Sequence, residues 1–138
     1  MKRKFSTSWK SSKQPRKQKK YRFNAPLHLK QKFVSVHLSK ELKKKHNTRS
    51  LGLKKGDKVT VLRGQFKKHK GSVERIDLKK CKIYLSGIEV TKKDGNKTTY
   101  GIEPSNLIIT ELNLNDKQRQ KIIDRKSGEI SEDKKEKK

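Results

Sequence analysis

The chain has 138 residues, of which 28% are apolar and 39% are charged, so one small folded unit with poorly packed ends is expected. Its formal net charge is +26, from 40 Lys and Arg residues against 14 Asp and Glu residues, and this favours a polyanionic partner, with nucleic acid first. No run approaches the roughly 18 apolar residues of a membrane span, and no basic segment has the large apolar face that binding to a membrane surface requires. The start lacks the apolar core of a signal peptide. We therefore expect a cytoplasmic protein without a membrane partner.

The first 53 residues are predicted to form a basic extension that binds RNA. Residues 1–55 contain 19 Lys or Arg and a single acidic residue, Glu41, whereas a merely solvated surface mixes both signs. Residues 11–22 have no apolar period and are predicted to be extended.

Aromatic residues interleave with the cations of this extension. Trp9, Tyr21 and Phe23 suit RNA in this setting, because cations meet phosphates while rings stack on unpaired bases. A solvated basic tail or a nuclear-localisation patch is the plainer alternative.

Two short helices are predicted within the extension. The first begins around residues 24–26, where a proline fits the first turn, and ends near Ser35. The second covers residues 40–46, with Ser39 as its cap. No strand is predicted before residue 54.

The stretch 54–77 is predicted to form two strands joined by a basic loop, because polar and apolar residues alternate on both sides of a break at residues 63–71. Side chains on a strand alternate faces. Three valines should therefore share a core, namely Val59, Val61 and Val73. Three other residues should face solvent, namely Lys58, Thr60 and Glu74. Residues 63–71, the tip loop, place cations between two glycines, which let backbone approach a ligand closely.

RNA contacts are predicted from the cations of the extension and of the tip loop, together with the histidines that lie among them. These residues are Lys13, Arg16, Lys17, Lys19, Lys20, Arg22, His28, Lys30, Lys32, Lys40, Lys43, Lys44, Lys45, Arg49, Arg63, Lys67, Lys68, His69 and Lys70. Such side chains neutralise phosphates, so binding is expected to depend strongly on salt.

The remaining strands complete a mainly β fold. They are predicted over 81–86, over 88–91 and 97–100 as a hairpin around an Asp-Gly turn, and over 106–110. Short strands and tight turns over about 55 residues are typical of a small SH3-like barrel, placed here at 54–112.

The C-terminal part is predicted to be a short helix within 113–127 and a disordered charged tail over 128–138. Asn115 and Asp116 can cap this helix, which carries Ile122 and Ile123 and ends at Gly128.

No catalytic, metal or cofactor site and no small-molecule substrate is predicted. Cys81 is the only cysteine, so no intrachain disulfide can form, and a packing role is expected for it. Three histidines lack the paired spacing of zinc ligands, namely His28, His37 and His46. Three acidic residues are interpreted as solvated ion pairs rather than catalytic groups, namely Asp57, Glu74 and Asp77.

Part of the stretch 54–77 resembles the KOW motif found in ribosomal proteins and transcription elongation factors. The matching residues are Gly56, Val59, Val61, Gly64, Lys67, Gly71, Val73 and Ile76. With the segments 24–29, 38–42 and 49–50, they make residues 11–126 similar to the archaeal and eukaryotic branch of the large-subunit ribosomal protein L twenty-four family, called L twenty-six in eukaryotes.

The resemblance implies a structural constituent of the large ribosomal subunit. Such a protein binds large-subunit ribosomal RNA directly, nucleates subunit assembly, and lies near the polypeptide exit tunnel beside neighbouring ribosomal proteins. Two positions depart from the family pattern, which usually has glycine in place of Lys68 and often histidine in place of Glu103. A loop that needs a positive φ at residue 68 would be strained by lysine, which favours a different shape of the tip.

The alternative is a KOW-domain transcription elongation factor. The resemblance to such factors implies an additional α/β domain before the barrel. No strands are predicted in residues 1–55, so this stretch does not fit such a domain. A histone-tail reader would need an aromatic cage, and the aromatic residues Phe66, Tyr84 and Tyr100 are too few, beside a charge that repels a basic peptide.

Overall fold

The computed structural model describes residues 5–127, and the predicted tail over 128–138, with Gly128, lies outside this range. The helices are α1 (Pro15–Asn24), α2 (Leu27–Phe33), α3 (Lys40–His46) and α4 (Lys117–Ser127). The strands are β1 (Ser35–Leu38), β2 (Ser50–Gly52), β3 (Lys58–Val61), β4 (Lys70–Asp77), β5 (Lys82–Leu85), β6 (Glu89–Thr91), β7 (Lys97–Thr99) and β8 (Leu107–Glu111). Within the described range, no helix is long and apolar enough to cross a membrane.

Six strands form one sheet in the order β2-β1-β8-β3-β4-β5, and β6 and β7 form a separate hairpin. Neighbouring strands are antiparallel except for the parallel pair β1 and β8. The mainly β prediction is thus confirmed, whereas the strand order is that of an open sheet.

The core lies on one face of this sheet and follows the predicted alternation. Val59, Val61 and Val73 are buried in one cluster, as predicted, and Ile83 and Leu85 belong to the same cluster. Ile76 is partly buried against the same cluster. This burial stabilises the fold by about 25 cal/mol for each Å² of apolar surface removed from water.

The predicted solvent face is correct for two residues of three. Lys58 and Glu74 are exposed, but Thr60 is half-buried. The Thr60 Oγ1 atom is buried and has no hydrogen-bond partner within residues 5–127. The prediction was wrong for Thr60 because β3 is a central strand, with β8 on one side and β4 on the other.

The expectation of no strand before residue 54 was wrong. β1 and β2 bury Val36, Leu38 and Leu51 in the common core. The sequence Ser35-Val36-His37-Leu38 does alternate polar and apolar residues, which is the strand period, but it is only four residues long. The predicted domain division between residues 53 and 54 falls between two strands of one sheet.

The expectation of an extended segment over 11–22 was also wrong, because residues 15–24 form α1. Pro15 occupies the first turn, where its missing N–H costs nothing, and Arg, Lys and Gln have good helix propensity. Tyr21 anchors the helix, with its ring 5.1 Å from that of Phe5 and 6.0 Å from that of Phe33 between centroids.

The other predicted elements are confirmed with small shifts at their ends. The Ser39 side chain accepts a hydrogen bond from the Leu42 N–H and caps α3. Asp116 Oδ1 accepts from the Gln118 N–H at the start of α4. Gly95 has φ +78° in the turn between β6 and β7, the conformation that an Asp-Gly turn requires.

Candidate nucleic-acid interface

The tip loop joins the end of β3 to the start of β4. Its cations are exposed at Arg63, Lys67, Lys68 and Lys70. No hydrogen bond or ion pair within residues 5–127 engages these four side chains. They are therefore accessible to an anionic partner, and their contact with RNA stays a prediction.

His69 differs from the other predicted contacts in this loop. It is half-buried, and its Nε2 atom lies 3.1 Å from the carbonyl oxygen of Ser86. The ring packs beside Gly71 and Gly87, where an added Cβ atom would lie 3.5 Å and 3.3 Å from it. His69 thus joins the loop to the turn after β5.

The backbone of the tip loop is held in a fixed shape. Lys68 has φ +70°, and its N–H donates to the Val61 carbonyl oxygen at 2.8 Å. Gly64 has φ +96°, which an L side chain rarely adopts. Lysine thus adopts a positive φ at residue 68, so the tip does not avoid this conformation as expected.

Helix α1 presents a cationic surface on its exposed side. Arg16, Lys17, Lys19, Lys20 and Arg22 are all exposed there. The Lys20 Nζ atom lies 5.0 Å from the centroid of the Trp9 ring, a cation–π distance. The segment before α1, with exposed Lys13, is fixed by the Gln18 side-chain amide, which donates to the carbonyl oxygens of Trp9, Lys10 and Ser12.

Helices α2 and α3 carry the remaining predicted contacts. His28 and Lys32 of α2 are exposed and Lys30 is half-buried. In α3 and the turn after it, the exposed cations are Lys40, Lys44, Lys45 and Arg49, with Lys43 half-buried.

The strand register divides these cations between two ends of the sheet. Val61 at the end of β3 pairs with Leu107 at the start of β8, and β1, which follows α2, runs parallel to β8. The tip loop and the end of α2 therefore lie at the same end of these three strands. Helix α3 follows Leu38, which pairs with Ile109, so α3 and Arg49 lie toward the opposite end.

Of the three aromatic residues predicted to stack on bases, the structure leaves one fully available. Tyr21 is buried and Trp9 is half-buried under Lys20, whereas Phe23 is 81% exposed. The sequence alone could not tell which of these rings is exposed. Residues two positions apart in a helix, such as Tyr21 and Phe23, point to different sides, and only one side is buried.

Asp57 is fully buried, so the expectation of a solvated ion pair is wrong for this residue. It accepts two hydrogen bonds from the Arg119 guanidinium, at 2.6 Å and 2.8 Å, and two from the N–H groups of Lys54 and Asn113. Arg119 was not singled out in the sequence because it is one of many cations. Among residues 5–127, no group of three or more His, Cys, Asp or Glu side chains could hold a metal ion.

Residues 12–126 match the model of a family described as eukaryotic ribosomal protein L26 and its archaeal counterpart L24. A similar relative is "Large ribosomal subunit protein uL24" of Methanothrix thermoacetophila, 48% identical over 114 residues that cover 83% of this chain and 98% of that protein. This chain belongs to that family of ribosomal proteins.

Membership of the uL24 family confirms the predicted resemblance to the archaeal and eukaryotic branch of that family, whereas the KOW motif stays a prediction. The match gives no support to the alternative of a transcription elongation factor. The family is not an enzyme class. At the second position that departs from the family pattern, Glu103 is exposed and its Oε1 atom accepts a hydrogen bond from Lys82 Nζ at 3.2 Å.

Proposed function

We propose that this chain is a structural constituent of the large ribosomal subunit that binds large-subunit ribosomal RNA directly. The main support for RNA contact comes from the tip loop, because its four exposed cations have no protein partner within residues 5–127. Cations left without carboxylate partners repel each other until a polyanion neutralises them. The family and its large-subunit relative support the choice of RNA.

The contacts proposed for RNA divide into the two clusters that the strand register separates. The tip loop and α2 form one, together with α1, whose Tyr21 ring packs against Phe33 of α2, and α3 with Arg49 forms the other. Phosphate contacts of this kind position a protein without reading sequence, so recognition rests on the shape of folded RNA. In this proposal the six-stranded sheet, whose strand order is open, takes the place of the predicted SH3-like barrel and carries both clusters.

Two clusters on opposite ends of one sheet can hold two RNA segments in a fixed relation. On this basis the protein nucleates assembly of the subunit and, as the resemblance implies, stays on it near the polypeptide exit tunnel beside neighbouring ribosomal proteins. In this proposal the protein is cytoplasmic and remains bound to the ribosome after assembly.

A filter-binding assay tests the proposal with purified full-length protein. Large-subunit ribosomal RNA and small-subunit ribosomal RNA serve as competing probes over a range of salt concentrations. We expect tighter binding to the large-subunit RNA, with a log-log salt slope of about −0.7 to −0.9 per phosphate neutralised. Equal affinity for both RNAs would show a non-specific polycation.

A further inference from the structure

A groove of about 980 Å³ lies where the N-terminal helices meet the sheet. The end of α1, the start of α2 and the start of β1 form one side of it. The turn between β4 and β5 and the turn before β8 form the other. The groove therefore lies between the basic extension and the sheet that also holds the tip loop.

An exposed apolar surface lines this groove. Phe23 is 81% exposed and Leu27 is 55% exposed, although both lie on helices. Tyr21 and Ala25 on either side of Phe23 are buried, so they fix the backbone and hold the Phe23 ring outward. A large aromatic ring kept exposed on an ordered helix indicates an interaction site, because it leaves apolar area in water.

The charges around the apolar surface favour an anionic occupant. Arg22, Lys30, Lys79 and Lys80 line the groove with a single carboxylate, that of Glu103. The Glu103 carboxylate already binds Lys82 Nζ at 3.2 Å, which leaves an excess of positive charge. A nucleotide combines a flat apolar face and negative charge in one unit, whereas an acidic side chain of a peptide supplies charge without a ring for Phe23.

We propose that this groove binds an unpaired nucleotide of RNA, with its base stacked on Phe23 and its phosphates beside Arg22, Lys79 and Lys80. The volume accommodates a base with its sugar and adjacent phosphates. His37 and Ser105 also line it and offer polar groups for a base edge or a 2′-hydroxyl. This inference rests on the proposed RNA binding and deepens it by assigning a single-stranded contact.

The test uses full-length protein and two probes, a single-stranded RNA octamer with a central 2-aminopurine and a fully paired RNA duplex of the same length. Fluorescence anisotropy measures affinity and 2-aminopurine quenching reports stacking. Stacking of one base on an aromatic side chain is worth about 1–3 kcal/mol, so Phe23→Ala should weaken binding of the octamer about 5- to 150-fold and abolish quenching. Binding of the duplex should not change.

Two further variants sharpen this comparison. Phe23→Trp keeps a ring and should retain both affinity and quenching. Ile122→Ala removes an exposed apolar side chain from α4 and should leave both probes unaffected. Octamer binding by Phe23→Ala equal to that of the unmodified protein would overturn the inference while leaving the proposed function intact. Failure of the unmodified protein to bind any RNA would instead overturn the proposed function.

A crosslinking experiment on whole ribosomes distinguishes RNA from a protein occupant. Phe23 is replaced by photoreactive p-benzoylphenylalanine, large subunits are isolated, and the crosslinked product is treated with nuclease or protease. We expect a product that nuclease removes. A crosslink to another protein, or no crosslink at all, would contradict a nucleotide in the groove.

Discussion

Arg119 binds Asp57 across 62 residues of the chain, and both side chains are buried. The guanidinium also donates to the carbonyl oxygens of Asn113 and Gly52, at 2.8 Å and 3.3 Å. These contacts fix α4 against the turn that leads into β3. The Arg119 Nε atom is the one part of this group left without a partner within residues 5–127.

Replacing Arg119 by Ala should destabilise the fold strongly. Breaking a buried pair from one side leaves the other charge uncompensated, which costs about 3–5 kcal/mol. Urea unfolding followed by circular dichroism measures the change in the free energy of unfolding. Arg125→Ala on the exposed side of the same helix is the matched control, and it should cost less than about 0.5 kcal/mol. Equal losses in the two variants would show that the buried pair has no special role.

Replacing Lys68 by Gly should leave the protein equally stable or stabilise it by up to about 1 kcal/mol. Lysine at φ +70° carries a left-handed strain of about 1–2 kcal/mol that glycine lacks, offset in part by the greater entropy of glycine in the unfolded chain. Thermal unfolding measures the shift. Lys67→Gly is the control, because Lys67 does not have a positive φ, and it should destabilise. A loss of stability in Lys68→Gly larger than in Lys67→Gly would contradict the strain.

Reversing the charge of the tip loop should weaken RNA binding more than the same reversal elsewhere. The tested variant changes Lys67, Lys68 and Lys70 together to Glu. The control changes the exposed hairpin residues Lys92, Lys93 and Lys97 to Glu, with an identical change in net charge. Filter binding to large-subunit ribosomal RNA should show a larger loss and a shallower salt slope for the tip variant. Equal losses would mean that net charge alone determines affinity.

Removing residues 1–22 should weaken RNA binding while leaving the melting of the sheet nearly unchanged. The hydrophobic cluster of the sheet contains no residue of α1, and the buried Tyr21 ring packs on Phe5 and Phe33 outside that cluster, so the sheet keeps its packing. A second variant, with the five cations of α1 changed to Gln, keeps the helix and loses the charge. Both should bind RNA more weakly, and the deletion should have the larger effect because it removes ten cations rather than five. Loss of cooperative melting in the deletion variant would show that α1 is part of the folding unit.

Asp77 should titrate below its ordinary pKa of 3.8. The Lys80 N–H donates to Asp77 Oδ1 at 3.0 Å and favours the charged form, which lowers the pKa. A depressed pKa in the folded state contributes stability above 3.8 that is lost as the pH falls through the folded value. Carbon-13 NMR of the carboxyl group measures it. Lys80→Gln keeps the N–H, so the pKa should stay low, and a return to 3.8 would assign the shift to the lysine charge.

The strands and the tip loop could be predicted because their local signals are strong. Alternation around Val59 and Val73 and the Asp-Gly turn before Asn96 are encoded within a few residues. Ser39 likewise marks the start of α3 by its own capping chemistry.

The misjudged elements depend on partners far away in the chain. β1 is only four residues long, and it is a strand because β2 and β8 pair with it. Helix α1 has little apolar periodicity and is anchored by one ring, Tyr21, between Phe5 and Phe33. The burial of Asp57 follows from Arg119, and nothing local in the sequence marks either residue as a pair.

Sedimentation of a cell lysate through a sucrose gradient in moderate salt tests the central claim most directly, with each fraction probed for this chain and for RNA polymerase. We expect the chain to migrate with the large ribosomal subunit and to stay bound at salt concentrations that remove loosely bound basic proteins. Migration with RNA polymerase, or release into the top fractions, would contradict it.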